Sequence, residues 1–558
     1  MTRPGLDHQA FRPFKKGSRK YDVAVIGGGI SGVYTAWRLK EADPDLKIAV
    51  FEYGNRIGGR LYSYAMPGMP HIKAELGGMR WLLSHKIVVG LINDLELPTT
   101  EFPMGKDGGA NNLMYLRRRQ LRVRDLTDPD KVPYLMNPDE QGMSPDSLQA
   151  YVMNSLLPFN AQLSATDWWK VPVLDGTPLY RIGFWNLLYR VLSSEAYQYM
   201  YDASGYYTNV ANSSAPLSLP ITEYDPNNKY YTLKHGFESL PHAVADRFEA
   251  IGGEIHRNHR LDSFGRRGKD GDYALCFVKT ETDAGGKTRD LDDDDAEVHI
   301  DADKVVLALP RRSIELIRWN RVDEPSGSDL KGTLRDQLES VISQAAFKLF
   351  LGYPYPWWRA LGVESGRTIT DMPIRQTYYF QTESEVGGEA DNHNSLLMVS
   401  YSDLGSVPYW KALEEGEHFT GDKESAANRF LRASESAVRP HEFPVTREMV
   451  NEAQEQVKEV HGLKFVPRPY TAVYHDWGDD PFGAGWHAWK AGKEFWDIMP
   501  YLRGIPGENV HICGEAYSIG QGWVEGALQT AELMLKEHFG LERASFIPAE
   551  YYDKEMGP

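Results

Sequence analysis

At 558 residues the chain is too long for one hydrophobic core and should divide into two or three domains. A net charge of −17 argues against nucleic acid or anionic membranes as partners, and no apolar run approaches the roughly 20 residues of a membrane span. Residues 1–20 are polar and basic, unlike a secretory leader, and the two distant cysteines, Cys276 and Cys513, suggest a reducing compartment and no metal site; the expected location is cytoplasmic.

The first predicted element is an apolar strand, Tyr21 to Ile26, that runs into Gly27-Gly28-Gly29-Ile30-Ser31-Gly32 and a helical pattern from Val33. A second apolar strand, Lys47 to Phe51, ends in Glu52, twenty positions after Gly32. This order is that of a dinucleotide site. Gly27 makes the tight turn, Gly29 lets the backbone approach a pyrophosphate, and Gly32 packs helix on strand. The helix start at Ile30 and Ser31 offers free amides and positive dipole, and Glu52 is placed to accept a ribose hydroxyl.

Next, Arg56-Ile57-Gly58-Gly59-Arg60 supplies backbone and guanidinium groups for a pyrophosphate. In Gly77-Gly78-Met79-Arg80, an arginine after two glycines is suited to holding a carboxylate by two parallel hydrogen bonds. Residues 84–97 read as an amphipathic helix capped by Ser84, with Ile87, Val88, Leu91, Ile92 and Leu95 on one face. The arginines from Arg117 to Arg124 read as a charged hairpin. Residues 120–225 lean helical and carry many aromatics, among them Trp185, Tyr197, Tyr201, Tyr206 and Tyr207, as core with some lining a channel. Asp290 to Asp295 lacks the spacing of a calcium loop and reads as a solvated hairpin tip. β-like runs at 347–351, 376–380 and 396–401 suit a mixed sheet. Within the first of them Lys348 is isolated among apolar residues, and burial makes such a lysine costly unless it has a partner or a role. The last apolar strand, Val510 to Cys513, ends in Gly514-Glu515.

Several of these blocks together resemble the flavin amine oxidase family, most nearly its L-amino acid oxidases. The R-x-G-G-R stretch from Arg56 to Arg60 resembles a block that simple nicotinamide dehydrogenases do not usually carry. Asp303 to Pro310 resembles the strand that closes the FAD domain. Lys234 to Pro241 resembles the opening of its middle region, with His235 where glycine is common. Val510 to Glu515 resembles its last FAD strand, with Glu515 near the ribityl chain or pyrophosphate. By the same resemblance, Gly78, Met79 and Arg80 form the block whose arginine holds the substrate α-carboxylate. Tyr401 closes the strand that gives the second carboxylate ligand, and Lys348 holds a water beside the flavin. Gly520 to Ala527 resembles the G-W-x-x-G-A block, in which Gly522 takes the substrate amine, Trp523 walls it, and the helix from Val524 points at the flavin pyrimidine. Trp486 and Asp403 fall at side-chain pocket positions, although Asp403 is equally compatible with facing solvent.

The resemblance implies an α/β chain with a Rossmann-like FAD-binding domain (18–64, 233–340, 471–558), a mixed-sheet substrate-binding domain (65–119, 341–470) and a helical domain (120–232). It implies FAD-dependent oxidative deamination of L-amino acids with dioxygen to 2-oxo acids, ammonia and hydrogen peroxide, in a homodimer or higher homo-oligomer. Three alternatives stay open on sequence alone. They are an amino acid 2-monooxygenase on the same fold, a nicotinamide-dependent dehydrogenase, and a flavin-bearing protein without turnover.

Overall fold

The computed structural model describes residues 16–105, 109–157, 168–219, 228–267, 271–283, 287–291, 296–320, 333–421, 430 and 444–557. Asp292 to Asp295 of the acidic tract and residues 1–15 of the N-terminal segment lie outside the described residues. No helix among the described residues is long and apolar enough to cross a membrane.

Two large sheets carry the architecture. In the first, Lys20–Ile26 lies between Ile48–Phe51 and Glu297–Leu307, parallel to both, and Val510–Ile512 pairs parallel to the far end of Glu297–Leu307. The registers Ala24↔Ala49 and Ala24↔Val305 bring the carboxyl ends of these strands to one edge. The strands are buried on both faces, which is why they read as unbroken apolar runs. The helix Ile30–Ala42 covers one face and packs against Ser239–Ala250 and Val524–Phe539. Eleven of its residues are buried, Arg38 among them, paired there with Glu532. On the far side of Glu297–Leu307 the sheet turns antiparallel through Tyr273–Thr282 and His259–Arg266.

Among the described residues the second sheet has seven strands. Ala346–Tyr353 is central to its site-bearing end, antiparallel to both Ser395–Asp403 and Thr471–Asp476. Beyond these lie Gln376–Thr382, Gly366–Thr370 and the hairpin Leu113–Leu116 with Arg119–Arg122; the parallel pairing of Gly366–Thr370 with Leu113–Leu116 makes the sheet mixed. Thr471–Asp476 therefore belongs to this sheet, although the sequence boundary at 471 placed it with the cofactor strands. The arginine hairpin forms as read, and Arg117 bonds Glu195 with both Nη atoms.

The helices Pro145–Leu156, Phe184–Tyr189 and Ser194–Ala203 share a core with the outer strands of the second sheet, through Met114, Leu116, Leu121 and Ile369. Ser144 and Ser193 cap the first and the last. The predicted helix at 84–97 is shorter, Lys86–Asp94, and buries Ile87, Val88, Leu91 and Ile92 as its pattern requires. Ser84 does not cap it. The Glu525 carboxylate, from another helix, accepts the amides of Ile87 and Val88 at 2.9 Å each. Tertiary packing thus replaces the local cap.

Candidate active site

One cavity of about 230 Å³ runs from the carboxyl edge of the first sheet to the face of the second. Its first end is made mostly of backbone. Gly27 takes φ +106°, and a Cβ there would meet the Ala308 carbonyl oxygen at 2.5 Å. Gly32 is excluded from any larger residue by the Gly27 carbonyl, 2.0 Å from where its Cβ would be, so it packs helix on turn and does not face the cavity. Gly29 differs from both: nothing lies within 4 Å of its would-be Cβ. No side chain caps the helix that begins at Ile30, so its first amides have no such partner. An open cradle with free amides at a helix N-terminus fits a pyrophosphate.

Glu52 lines the same end, and its two oxygens accept the amides of Gly28 at 2.7 Å and Gly54 at 2.9 Å. Each oxygen keeps a second acceptor position, which a ribose hydroxyl can use. Gly59 and Arg60 reach the wall, and Gly59 stands against the Gly29 backbone. Arg56 does not line the cavity. Its guanidinium donates to the carbonyls of Gly59 and Leu61 and stacks on Tyr62 at 4.1 Å, so it braces the glycine turn from behind. His259, Arg260 and Leu261, from a strand that no motif marked, complete this end.

In the middle, Glu515 joins three segments. It accepts Arg60 Nη1 at 2.7 Å, the Gly522 amide at 2.8 Å, and both the amide and Nδ1 of His487. Burial acts to raise its pKa, but Arg60 and His487 outweigh burial and hold the carboxyl well below the usual carboxylate range. Gly514, Glu515 and Val524 all line the cavity. The contribution of His487 had no sequence signal, because it depends on a strand of four residues, Trp486–Trp489, reaching a distant loop.

At the far end the wall is made of side chains. Antiparallel pairing sets Lys348 directly opposite Tyr401 on one side and His475 on the other, so all three project from one face of the second sheet. Lys348 is 2% exposed and donates to the carbonyls of Glu75 at 2.9 Å and Gly77 at 2.6 Å, under the Tyr401 ring at 4.3 Å. Burial lowers its pKa to about 7; Glu75 opposes the shift and Arg80 adds to it. Glu75, bonded to Ser63 Oγ and the Phe237 amide, is raised to about 7 by burial. Gly522, at φ +81°, and Trp523 face the cavity, as do Gly78, Tyr401 and Trp486. His85 packs its ring on Trp523 at 4.7 Å.

Two expected wall residues lie behind the surface. Met79 belongs to the core among Tyr62, Tyr64 and Leu76 and does not reach the cavity. Arg80 stands one layer back, 8% exposed, with Nη1 at 3.3 Å from Tyr378 Oη and its guanidinium over the Tyr230 ring at 4.1 Å. Among the described residues no carboxylate comes within ion-pair distance of it.

Asp403 departs most from expectation. It is 0% exposed, which excludes the solvent-facing reading, and it does not line the cavity. Its two oxygens accept the amides of Tyr207 at 3.0 Å and Thr208 at 2.9 Å. A carboxylate so engaged pins the aromatic segment to the second sheet, and because it does not line the cavity it turns no oxygen towards a substrate cation there. Burial raises its pKa to about 6 against the pull of those amides.

The family model of flavin-containing amine oxidoreductases matches residues 30–421 and 439–533. Aplysianin-A of Aplysia kurodai is 29% identical over 96% of this chain and 93% of its own length. Achacin of Lissachatina fulica is 26% identical over 94% of each chain. An L-amino-acid oxidase of Mus musculus is 22% identical over 94% of this chain and 72% of its own. A solved putrescine oxidase variant shares the fold at a TM-score of 0.64 and 17% identity, over 94% of this chain and all of its own.

Proposed function

The chain belongs to the flavin-containing amine oxidoreductase family, and from that premise we propose that it is an L-amino-acid oxidase. It takes an L-amino acid and dioxygen and forms a 2-oxo acid, ammonia and hydrogen peroxide. The observation that carries the substrate class is Arg80. A permanently charged guanidinium is buried beside the cavity with no carboxylate among the described residues to neutralise it. A simple amine brings no anion to such a site, whereas an amino acid brings its α-carboxylate. The L-amino-acid oxidase named among the relatives is consistent with this reading.

Bound FAD supplies the two-electron oxidation of the Cα–N bond; the protein supplies orientation and charge. The Gly29 cradle and the amides of Ile30 and Ser31 receive the pyrophosphate, and Glu52 accepts a ribose hydroxyl. Arg80, one layer behind the wall, would turn its guanidinium outward to hold the substrate carboxylate together with the Tyr401 hydroxyl. The Gly522 carbonyl accepts from the amine, and Trp523 walls it. The Val524 helix turns its positive end towards the flavin. Lys348 spends two of its three N–H groups on Glu75 and Gly77 and has the third for a water. With a pKa of about 7 it holds or releases that proton at Nζ near neutral pH. The two buried cysteines, Cys276 and Cys513, form no disulfide and do not line the cavity.

The test is a panel of amino acids under air, with peroxide and organic product both measured. Peroxide with a 2-oxo acid supports the reading. An amide with carbon dioxide makes the protein a 2-monooxygenase, and turnover of amines alone removes Arg80 from its role.

A further inference from the structure

Aromatic rings form an almost continuous row from the cavity to the protein surface. At the cavity, Tyr401 and Trp486 both touch Tyr206 edge to face, at 5.1 and 6.1 Å between centroids. Tyr206 is bonded to Tyr207 in the chain, which stacks on Tyr201 at 4.3 Å. Tyr201 stacks on Tyr197 at 6.2 Å, one helical turn away on Ser194–Ala203. Tyr197 then stacks on Trp185 at 5.1 Å and meets Tyr189 at 4.5 Å. Trp185 and Tyr189 are themselves one turn apart on Phe184–Tyr189 and are 43% and 44% exposed. The Asp403 carboxylate fixes the middle of the row by holding the Tyr207 and Thr208 amides.

Packing accounts for each contact singly. It does not account for a row made only of tyrosine and tryptophan, which begins on the cofactor cavity and ends in two half-exposed rings. These are the two side chains that give up one electron most readily among the aromatics. Electron tunnelling falls off steeply with distance, and every ring in the row touches the next or is joined to it by one peptide unit.

We propose that this row is a hole-transfer path that carries one-electron oxidising equivalents from the flavin cavity to Trp185 and Tyr189. Its working oxidant rests on the proposed function: hydrogen peroxide takes one electron from the reduced flavin and splits into hydroxide and hydroxyl radical, and dioxygen takes the flavin's remaining electron. In the cavity, hydroxyl radical gains an electron from Tyr401 or Trp486 and a proton from solvent and leaves as water. Each vacancy is filled by the next ring outward. Trp185 or Tyr189 finally loses an electron, releases its N–H or O–H proton to bulk water, and is restored by a hydrogen atom from a thiol. One electron moves inward, one proton enters at the cavity and one leaves at the surface.

Arg375 sits over the Tyr207 ring at 3.9 Å and disfavours positive charge there. The hole therefore rests on either side of Tyr207, and Tyr201 is the first ring beyond that step. Tyr201→Phe keeps the ring and removes the readily oxidised phenol without touching the cavity.

The test uses light in place of turnover. Blue light makes bound oxidised flavin a one-electron oxidant of the nearest rings, and dioxygen then takes the electron from the flavin. The flavin-loaded protein is illuminated without any amino acid, radicals are followed by electron paramagnetic resonance, and oxidised residues are mapped by mass spectrometry. Tyr355, 50% exposed and outside the row, reports background oxidation. In the unaltered protein, Trp185 and Tyr189 should be oxidised severalfold more than Tyr355. In Tyr201→Phe at equal flavin occupancy they should fall to the Tyr355 level, with damage retained on Tyr206, Tyr401 and Trp486. Tyr197→Phe should do the same and serves if the first variant fails to fold. An unchanged pattern in the variants, or Trp185 oxidised no more than Tyr355 in the unaltered protein, overturns the path. Because no amino acid is present, a failed path leaves the oxidase reading intact, and a failed amino acid panel leaves the path intact.

Discussion

The two ends of the cavity are built in different ways. At the end proposed for the pyrophosphate the wall is made of amides and glycine gaps, contributed by the stretch from Gly27 to Ser31 and its neighbour from Gly58 to Arg60. At the end proposed for the substrate the wall is made of side chains from distant segments, Lys348, Tyr401, and Trp523 beside Gly522, with Arg80 one layer behind them. The first end depends on what is missing, since Gly29 faces open space. The second depends on what is held in place: Lys348 by two carbonyls, Arg80 by Tyr378 and Tyr230. A backbone site is lost by adding atoms, and a side-chain site by removing or misaiming them.

The largest expected effect is at Gly29. Its φ of −72° suits any residue, so Gly29→Val should leave the fold intact. The added methyls point into the cradle, and flavin absorbance should disappear from the purified protein while its melting temperature, compared flavin-free, hardly moves. Full flavin occupancy in that variant would show that the pyrophosphate lies elsewhere. Arg80→Lys is the matching change at the other end. Lysine keeps the charge and loses the two-pronged donor, and kcat/KM should fall by about 2–5 kcal/mol equivalent for every amino acid with flavin content unchanged. Unaltered kinetics would end its role as carboxylate clamp.

Asp403→Asn sharpens the comparison from between the two ends. An asparagine amide accepts through one oxygen only, which leaves a buried backbone N–H facing another N–H, at a cost of about 1–3 kcal/mol. Thermal unfolding should show that loss, and turnover should drop equally for lysine, arginine, phenylalanine and glutamine. A loss confined to cationic substrates would restore Asp403 to the side-chain pocket. The smallest effect concerns protons. Lys348 is charged below about 7 and neutral above it, so flavin reoxidation by dioxygen should slow as pH rises through about 7. Stopped-flow traces of Lys348→Met should lack that inflection, with reduction by substrate much less affected than reoxidation; slowing of both half-reactions alike would make Lys348 structural.

The chain order of residues made the cofactor end legible. Strand, glycine turn, helix, strand and Glu52 act through near neighbours, and their geometry follows from backbone rules that operate over a few residues. The apolar runs at 347–351, 376–380 and 396–401 and the arginine hairpin also became strands of the second sheet, whereas Gly366–Thr370 and the place of Thr471–Asp476 in it were not read. What the residues nominated at the substrate end came by likeness to a family, and their actual arrangement was not written in any local pattern. The opposition of Lys348 to Tyr401 and His475 depends on the register of three strands. That Arg56 turns its guanidinium to Gly59 and Leu61, and that Met79 goes to the core, depends on which way a loop folds against its neighbours. Asp403 shows the principle most plainly. As a sequence position it was equally a pocket acid or a solvent acid. Only the approach of the segment at Tyr207, separated from it by nearly two hundred residues, gave its oxygens two amides and decided that it is neither. Short-range sterics and hydrogen bonding fix a turn from its own residues. The partner of a buried charge is fixed by whichever distant backbone the packed core brings to it.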